Sequence, residues 1–492
     1  MSTLAARFAA LAHIRAAEVA IVDAESERRW TYRELAIGMR AVVAALTERG
    51  CAPGMRVATL GSSAVHFLIG ELGVLASGCV RVPLDPSLTL REQRAQLLDA
   101  GAFAILHEPQ ERERAGALCA ITLDVTEIES VLAPAEFPAR VDPQALASLN
   151  YTGGTTGVPK AVMLTHAALD AIHRTIVAER PVHEDDVFLN VRPLWPIAAV
   201  VVTAHLYAGA TIVLGGRFDP ARFPTLLERY RATGTSLVPT MLVRVFDALD
   251  RPLAGLKQLR AIDVGGSALS EIDRARAEAL FGARLGVIYG LTEASWTCYL
   301  RPGEPSAPGI VGRPLGPNRV VIRDPEARAL RQSEEGEVTI TGPHLMSGYW
   351  NRPQATAASL RKGWLHTGDL GRIDAAGRLV ITGRLKDVIR TGSRTVVPAE
   401  VEAVIAAHPA VAACAVLGVP DPEWGEIVAA AVVLKPAFAL DAATLAAYCG
   451  AQLSGFKKPR RIVFVAAIPR SHYGKVQRAK LIALLSPDIA AG

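Results

Sequence analysis

The chain has 492 residues, of which 50% are hydrophobic and 21% are charged. This length exceeds one domain of ~100–200 residues and the composition suits large cores, which excludes a small binding module and a mainly disordered chain. The net charge of +5 is too dilute over this length to indicate a nucleic-acid or membrane surface, so we expect neither partner.

The six cysteines lie far apart and form no CxxC pair, so their spacing indicates neither a metal site nor redox chemistry. Arg7, Arg15 and Glu18 interrupt the N-terminal segment, which lacks the apolar core of a signal peptide. We therefore predict a cytoplasmic protein with buried free thiols.

The N-terminal part alternates between helix-like and strand-like stretches. Met39–Arg49 resembles a helix and Arg56–Leu60 a strand, and such alternation predicts βα units around parallel sheets. Further on, the strand-like Leu146–Tyr151 leads into a glycine-rich loop and then into a helix from about His166.

The segment Pro193–Gly216 contains no Asp, Glu, Lys or Arg and is nearly long enough to span a bilayer. Pro196 can start a helix, Ala208–Ala210 is typical of a turn, and Thr211–Leu214 is typical of a strand. We predict a buried helix followed by a buried strand, with no membrane span.

The C-terminal third changes in character. Arg301–Asn318 holds five prolines and four glycines and is predicted to be an ordered connecting loop. Strands follow at Val320–Arg323, Glu337–Thr341 and Arg378–Thr382, then a helix starting with Pro398, strands at Val411–Leu417 and Ile427–Leu434, a helix near Leu445 and a strand at Ile462–Val465.

These elements predict an α/β fold with two parts. A large N-terminal domain, residues 1–384, consists of α/β sheets plus a small β-rich subdomain at about 319–383. A small α+β C-terminal domain, residues 385–492, follows a boundary near Lys386.

The loop Tyr151–Lys160 places three glycines, three threonine hydroxyls and one lysine within ten residues. Glycines let backbone N–H groups approach an anion, hydroxyls donate further hydrogen bonds and lysine supplies charge, so the loop is suited to phosphate. It is not a Walker A loop, because Val158 and Pro159 separate Gly157 from Lys160. The alternative is a flexible surface turn.

Five segments in this order resemble the adenylate-forming superfamily, which includes acyl-CoA synthetases, peptide-synthetase adenylation domains and firefly-type luciferases. They are the glycine-rich loop, Tyr289–Glu293 (YGLTE), Gly363–Asp369 (GWLHTGD), Gly383–Ile389 (GRLKDVI) and Pro469–Lys475 (PRSHYGK). The resemblance implies activation of a carboxylic acid with ATP and Mg²⁺, and a mobile C-terminal domain.

The resemblance also implies a role for each matching residue. Lys475, Thr292 and Glu293 would be catalytic, with Glu293 holding the metal ion. The residues expected to bind ATP and AMP are Thr152, Gly153, Gly154, Thr155, Thr156, Gly157, Lys160, Gly265, Gly266, Ser267, Tyr289, Gly290, Asp369 and Arg384. The alternative for Glu293 is an acidic residue at a helix N-terminus.

A second half-reaction is implied at the domain boundary. Members of the superfamily rotate the C-terminal domain about a hinge residue, here Lys386, which withdraws Lys475 and brings Thr391 and Gly392 to the thiol tunnel. Relatives commonly have a second glycine where this chain has Ser393.

The acid pocket is expected after the phosphate loop, around Trp195 and Ile197, where a family histidine is missing. The apolar residues that follow favour an aryl or a short-to-medium aliphatic acid. Asp263 and Arg192 are charges near this pocket; they would read a polar substrate group, or pair with each other or with neighbours.

The sequence thus predicts an AMP-forming acid–thiol ligase that uses ATP, Mg²⁺ and CoA to make an acyl-CoA. One alternative is a stand-alone adenylation enzyme that loads a carrier protein's phosphopantetheine. A second is a non-catalytic nucleotide-binding homologue, which the joint presence of Lys475, Glu293, Asp369 and Lys386 disfavours.

Overall fold

The computed structural model describes residues 4–62, 64–128, 137, 141–152, 159–194, 198–249, 256–269, 271–392, 394–436, 438–469 and 476–485. The chain forms two compact units. The first consists of Met1–Ser306, Gly312–Arg319 and Ile340–Leu365, and the second of Ala307–Val311, Val320–Thr339 and His366–Gly492.

Helices and strands alternate along most of the described chain. The helices are α1 (Leu4–Ile14), α2 (Tyr32–Glu48), α3 (Val65–Ala76), α4 (Leu90–Ala100), α5 (Arg112–Leu118), α6 (His166–Glu179), α7 (Ala198–Ala208), α8 (Phe223–Arg229), α9 (Pro239–Ala248), α10 (Glu271–Phe281), α11 (Pro353–Ser359), α12 (Pro398–Ala406), α13 (Ala442–Gly450) and α14 (Arg478–Leu485). The strands up to residue 300 are β1 (Val19–Asp23), β2 (Arg29–Thr31), β3 (Arg56–Leu60), β4 (Val80–Leu84), β5 (Ala104–His107), β6 (Thr122–Asp124), β7 (Leu146–Thr152), β8 (Lys160–Thr165), β9 (Val187–Asn190), β10 (Thr211–Leu214), β11 (Gly234–Leu237), β12 (Ala261–Val264), β13 (Leu285–Leu291) and β14 (Ala294–Leu300). The later strands are β15 (Ile310–Pro314), β16 (Arg319–Arg323), β17 (Gly336–Thr341), β18 (Gly348–Tyr349), β19 (Leu360–Arg361), β20 (Trp364–Ile373), β21 (Leu379–Arg384), β22 (Ile389–Thr391), β23 (Arg394–Val396), β24 (Val411–Asp421), β25 (Gly425–Leu434) and β26 (Arg461–Phe464).

One sheet of the first unit carries the glycine-rich segment. Its strand order is β18-β8-β7-β4-β3-β5-β6, with β7, β4, β3, β5 and β6 parallel to their neighbours. Strand β8 returns antiparallel to β7, and β18 adds antiparallel to β8. Strands β3, β4 and β5 are almost fully buried, as expected where helices cover a parallel sheet.

The second sheet of the first unit places four parallel strands side by side in the order β9-β11-β12-β13. Side chains alternate between its faces. Leu189, Leu237 and Val264 belong to an apolar cluster that also contains Leu227 of α8, Leu242 of α9 and Phe281 of α10. Asp263, one residue before Val264, therefore points to the opposite face.

Local sequence signals start two of the N-terminal helices. Thr31 and Glu34 form a capping box at α2, and Thr89 and Glu92 form another at α4. In each box the threonine side-chain oxygen accepts a hydrogen bond from a backbone N–H of the first turn. The glutamate carboxylate accepts one from the threonine N–H, so two backbone donors that lack helical partners are satisfied.

The second unit contains the β-rich stretch and the C-terminal α+β stretch. Strands β16, β17, β20 and β21 are neighbours in this order, and β23-β22-β25-β24 with β26 beside β25 form a separate sheet. Helix α12 packs Val401 and Ile405 into the core of that sheet. The compact unit thus includes segments that the sequence analysis grouped with the N-terminal domain; the hinge near Lys386, which concerns motion, stays a prediction.

The mixed α/β architecture predicted from the sequence is confirmed, and two strands correct its details. Strand β8 lies between the glycine-rich loop and α6, so the predicted strand–loop–helix order is wrong there. Strand β15 lies inside Arg301–Asn318 and pairs with β14, so that segment is more than a connecting loop.

The predicted helix and strand within Pro193–Gly216 are α7 and β10. None of the described helices is both long and apolar enough to cross a membrane.

Candidate active site

The strands β7 and β8 form a hairpin that brings the two ends of the glycine-rich loop together. Thr152 and Lys160 are directly paired across it, and the Thr152 hydroxyl lies 3.4 Å from the Lys160 carbonyl oxygen. Five predicted phosphate-binding residues lie outside the described part of the chain: Gly153, Gly154, Thr155, Thr156 and Gly157.

The YGLTE segment forms the hairpin between β13 and β14. Leu291 pairs with Ala294, so Thr292 and Glu293 are the two turn residues, and the alternative that places Glu293 at a helix N-terminus is wrong. A Cβ on Gly290 would lie 2.7 Å from the Trp296 backbone nitrogen, so only glycine fits. Trp296 itself has φ of 54°, which is uncommon for a bulky residue and marks an irregular hairpin.

The Gly265–Gly266–Ser267 segment lies beside this hairpin. It follows β12, whose neighbour β13 is parallel, with Val264 paired to Val287. A Cβ on Gly265 would lie 3.2 Å from both Cβ and O of Ile288, and Gly266 has φ of 91°. Parallel strands therefore place the three residues next to Tyr289 at one edge of the sheet, where open α/β sheets bind ligands.

Tyr349 connects the two hairpins, and the sequence analysis missed it. Its hydroxyl donates a hydrogen bond to Glu293 Oε1 at 2.8 Å, and Lys160 Nζ lies 5.2 Å from its ring centroid. Burial, and then the Glu293 carboxylate, raise the pKa of Tyr349, so the phenol stays a donor at neutral pH. The sequence signal was a Gly348–Tyr349–Trp350 run that predicts no contact by itself.

Asp263 is buried beneath the Gly265 segment and is engaged by neighbours. It forms an ion pair with Arg180, and the Tyr299 hydroxyl donates to its Oδ1 at 2.6 Å. Burial raises the pKa of Asp263 against the opposing effect of Arg180. Arg192 Nη1 lies 3.4 Å from the hydroxyl of Ser236, the residue paired with Asp263 on β11. Of the alternatives stated for Asp263, these contacts favour pairing with neighbours.

His205 completes the surroundings of Arg180. Its Nδ1 lies 2.8 Å from the Val201 carbonyl oxygen and its Nε2 lies 2.7 Å from Arg180 Nη1. The ring therefore donates through Nδ1 and accepts at Nε2, which is the neutral tautomer. Burial, assisted by Arg180, lowers the pKa of His205 to about 3.

In the second unit, Asp369 and Arg384 face each other across β20 and β21. Arg384 Nε lies 2.8 Å from Asp369 Oδ1, and the Asp369 carboxylate is buried while the guanidinium is about half exposed. Lys386 follows in a short 3₁₀ turn, Leu385–Asp387. Burial and then Arg384 lower the pKa of Lys386.

The predicted thiol-tunnel residues lie at the end of β22. Gly392 has φ of 59° and donates its N–H to the Trp424 carbonyl oxygen at 2.7 Å. A Cβ at this position would lie 3.4 Å from the Trp424 ring. Thr391 is buried and pairs with Arg394. Ser393, Lys475, Trp195 and Ile197 lie outside the described residues.

The described residues fit a magnesium ion of the kind that nucleotide enzymes use. No cluster of three or more His, Cys, Asp or Glu side chains is present in the described part of the chain. Mg²⁺ in such sites is bound by one or two carboxylates and by substrate phosphates. Glu293 supplies one carboxylate: its Oε1 accepts the hydrogen bond from Tyr349, and its Oε2 would ligate the ion.

Comparisons with known proteins identify the family of this chain. Residues 8–350 match the family model of the AMP-binding enzyme, and residues 400–475 match the AMP-binding enzyme C-terminal domain. A feruloyl-CoA synthase from Amycolatopsis sp is 33% identical over 92% of this chain and 93% of its own length. A fatty acid–[acyl-carrier-protein] ligase, ScoC, from Streptomyces coeruleorubidus is also 33% identical, over 92% of this chain and 91% of its own.

The fold is similar to a solved structure over nearly the whole chain. ATP-bound MatB from Rhodopseudomonas palustris superposes with a TM-score of 0.93 at 30% identity, covering 99% of this chain and 100% of that one. Together, the two family models and the relatives show that this chain belongs to the AMP-binding enzyme family, the adenylate-forming enzymes.

Proposed function

We propose that this protein is an AMP-forming acid–thiol ligase that activates a carboxylic acid with ATP and transfers the acyl group to CoA. The observation that carries the proposal is the convergence of Lys160 and Glu293 on Tyr349. A phosphate-binding lysine and a metal-binding carboxylate at one place are what ATP activation requires.

In the first half-reaction a carboxylate oxygen of the acid attacks the α-phosphorus, and the bond to the β-phosphate oxygen breaks to release pyrophosphate. Lys160 would neutralise phosphate oxygens and Thr292 would donate to the α-phosphate. Glu293 would hold the Mg²⁺ that offsets the negative charge of the triphosphate. Lys475 would stabilise the charge that develops between acid and ATP.

The adenine and ribose of the nucleotide would also contact residues of this chain. Tyr289 would stack on adenine beside the backbone of Gly265, Gly266 and Ser267, and Gly290 would allow close approach. Asp369 would accept hydrogen bonds from the ribose hydroxyls, with Arg384 turning from Asp369 toward ribose or phosphate.

In the second half-reaction a thiol sulfur attacks the acyl carbon, the bond to the AMP oxygen breaks, and AMP leaves. We propose that Lys386 is the hinge and that Gly392 lets the pantetheine arm pass close to the backbone. The left-handed φ of Gly392 supports this role, because a side chain there would be strained.

The acid is proposed to be an aryl or a short-to-medium aliphatic acid. Helix α7 contains buried Ala199, Val200 and Val201, which would give the pocket an apolar wall, and the Amycolatopsis relative is a feruloyl-CoA synthase. Because all six cysteines are free, we further propose the reducing cytoplasm as the compartment.

The test is acid-dependent release of pyrophosphate and AMP across aryl, aliphatic, dicarboxylic and amino acids, each with and without CoA. We expect AMP formation to need one acid class and to saturate with CoA. Glu293→Gln should abolish pyrophosphate release. Glu326→Gln is its control, because this carboxylate is 64% exposed and pairs with Arg328 outside the site.

Carrier-protein loading is the second candidate, favoured by the similarity to the Streptomyces coeruleorubidus carrier-protein ligase. Pyrophosphate exchange with one acid, but no turnover with CoA, would favour that reading. No acid-dependent pyrophosphate release over the whole panel would contradict both proposals and favour a non-catalytic homologue.

A further inference from the structure

Leu345–Tyr349 is a short stretch that is bonded to both hairpins of the candidate site. On one side Met346 donates its N–H to the Glu293 carbonyl oxygen at 2.9 Å, and Leu345 forms a bridge with Ala294. On the other side Tyr349 pairs with Val162 of β8. The backbone of this stretch therefore fixes the distance between the YGLTE turn and the strand that begins with Lys160.

The side chain of Tyr349 extends this connection to the charged groups. It is 8% exposed, donates to Glu293 Oε1 at 2.8 Å, and presents its ring to Lys160 Nζ at 5.2 Å. An ammonium at this distance from an aromatic face is attracted to it. One tyrosine thus contacts a carboxylate through its hydroxyl and a cation through its ring.

We propose that Tyr349 is a positioning residue that orients Glu293 toward Mg²⁺ and Lys160 toward the nucleotide phosphates. The inference rests on the proposed function, because it takes Glu293 as the metal ligand. A glutamate has several rotatable bonds, and ordering them at the moment of binding costs conformational entropy. The hydroxyl of Tyr349 occupies Oε1 beforehand and leaves Oε2 for the metal.

The hydroxyl of Tyr349 can be removed without changing the rest of the residue. The β18–β8 pairing uses backbone groups, so Tyr349→Phe keeps the strand and the ring beside Lys160. The variant loses the hydrogen bond to Glu293 and the hydroxyl's hydrogen bond with Ser359, and of these two partners only Glu293 is a proposed metal ligand. Hydrogen-bond partners of metal-ligating side chains typically change metal affinity by ~10–100-fold when removed.

The experiment measures equilibrium binding by calorimetry, without turnover. The probe, α,β-methylene-ATP, is titrated into the wild type and into Tyr349→Phe. Each titration is done once in the presence of Mg²⁺ and once with EDTA, which removes the metal. We expect Tyr349→Phe to weaken binding by about 10-fold with Mg²⁺ and by less than about 2-fold without it. Tyr349→Leu, which also removes the ring beside Lys160, should weaken binding under both conditions.

Tyr207→Phe is the matched control. Tyr207 is also buried and its hydroxyl also donates to a carboxylate, Asp170 Oδ1 at 3.0 Å, but neither belongs to the candidate site. This variant should bind the probe as wild type does, with or without Mg²⁺.

A double-mutant cycle tests whether the hydroxyl of Tyr349 affects Mg²⁺ binding through Glu293. In a Glu293→Gln background Tyr349→Phe should change Mg²⁺-dependent binding by less than about 2-fold, since the carboxylate it positions is gone. Equal weakening of Tyr349→Phe with and without Mg²⁺, or no weakening, would overturn the inference. A wild-type protein that binds no nucleotide would instead overturn the proposed function.

Discussion

Arg180 and Asp263 form an ion pair that water does not reach. Both side chains are buried, with exposures of 6% and 0%, and Tyr299 and His205 satisfy further polar atoms of the pair. A Cβ on Gly286 would lie 2.6 Å from both Asp263 Oδ1 and the Tyr299 hydroxyl, so the sheet leaves no room for substrate there. From these contacts we infer that Asp263 holds β12 rather than reading the acid.

Arg180→Met should destabilise the first unit by about 3–5 kcal/mol, because it leaves a buried carboxylate without its cation. Denaturant unfolding followed by tryptophan fluorescence would measure the change. Arg180→Met combined with Asp263→Leu should recover most of the loss, since no buried charge remains. Unchanged stability of Arg180→Met together with an altered choice of acid would instead favour a substrate-reading pair.

Lys475→Ala should reduce adenylate formation by ~10²–10³-fold, the usual effect of removing a donor to developing charge. Thioester formation from a supplied acyl adenylate should be spared if, as the resemblance implies, Lys475 withdraws before that step. Separate assays of pyrophosphate release and of CoA consumption distinguish the two. Lys480→Ala, exposed on α14, should leave both unchanged. Equal loss of both half-reactions in Lys475→Ala would contradict this role.

At the scale of elements, the β13–β14 hairpin depends on one glycine. Gly290→Ala would put a Cβ 2.7 Å from the Trp296 nitrogen and 3.0 Å from the Ala294 carbonyl oxygen. Backbone atoms cannot rotate away as a side chain does, so the turn with Thr292 and Glu293 must shift. A displacement of this kind typically costs ~10²-fold, and we expect that loss in kcat/KM for ATP.

Gly116→Ala provides the comparison for Gly290→Ala. Gly116 lies within α5 and nothing lies within 4 Å of its Cβ position. Alanine there should leave kcat/KM unchanged and raise helix stability slightly. Wild-type kinetics for Gly290→Ala would mean that the hairpin does not position the turn.

The helices and strands show which parts of the fold can be predicted from the sequence. Apolar runs between turn residues predicted elements such as β3, β10 and α12, because burial and local periodicity agree there. Strand β15 was missed because Pro308 and Gly309 before it are typical of loops, whereas pairing with β14 is a long-range contact. Motif matches pointed to Glu293 and Lys160, but Tyr349 could not be predicted because its partners lie 56 and 189 positions earlier in the chain.

At the scale of the whole molecule, the first unit buries histidines in their neutral form. Burial lowers the pKa to about 4 for His166, His173 and His344, and to about 3 for His205. The unfolded chain titrates at about 6.5, so between pH 6.5 and 4 it binds more protons than the folded chain. The free energy of unfolding must therefore fall as the pH falls through this window.

His173→Leu should make this dependence shallower by about one proton, or ~1.4 kcal/mol per pH unit. Chemical unfolding at intervals between pH 4 and 6.5 would measure the slope. The control is His13→Gln, which changes an exposed side chain of α1 and should leave the slope as it is. If the free energy of unfolding of His173→Leu depended on pH as steeply as that of the wild type, the His173 ring would be protonated in the folded protein.

Each compact unit is assembled from three separate stretches of chain, and this has a consequence for synthesis on the ribosome. The first unit cannot close when Ser306 emerges, because it still lacks Ile340–Leu365, which supplies the third strand over the glycine-rich hairpin. At about 5–20 residues per second, the nascent chain waits several seconds with that edge of its sheet uncovered. During this interval we expect the uncovered edge to be open to pairing with other chains.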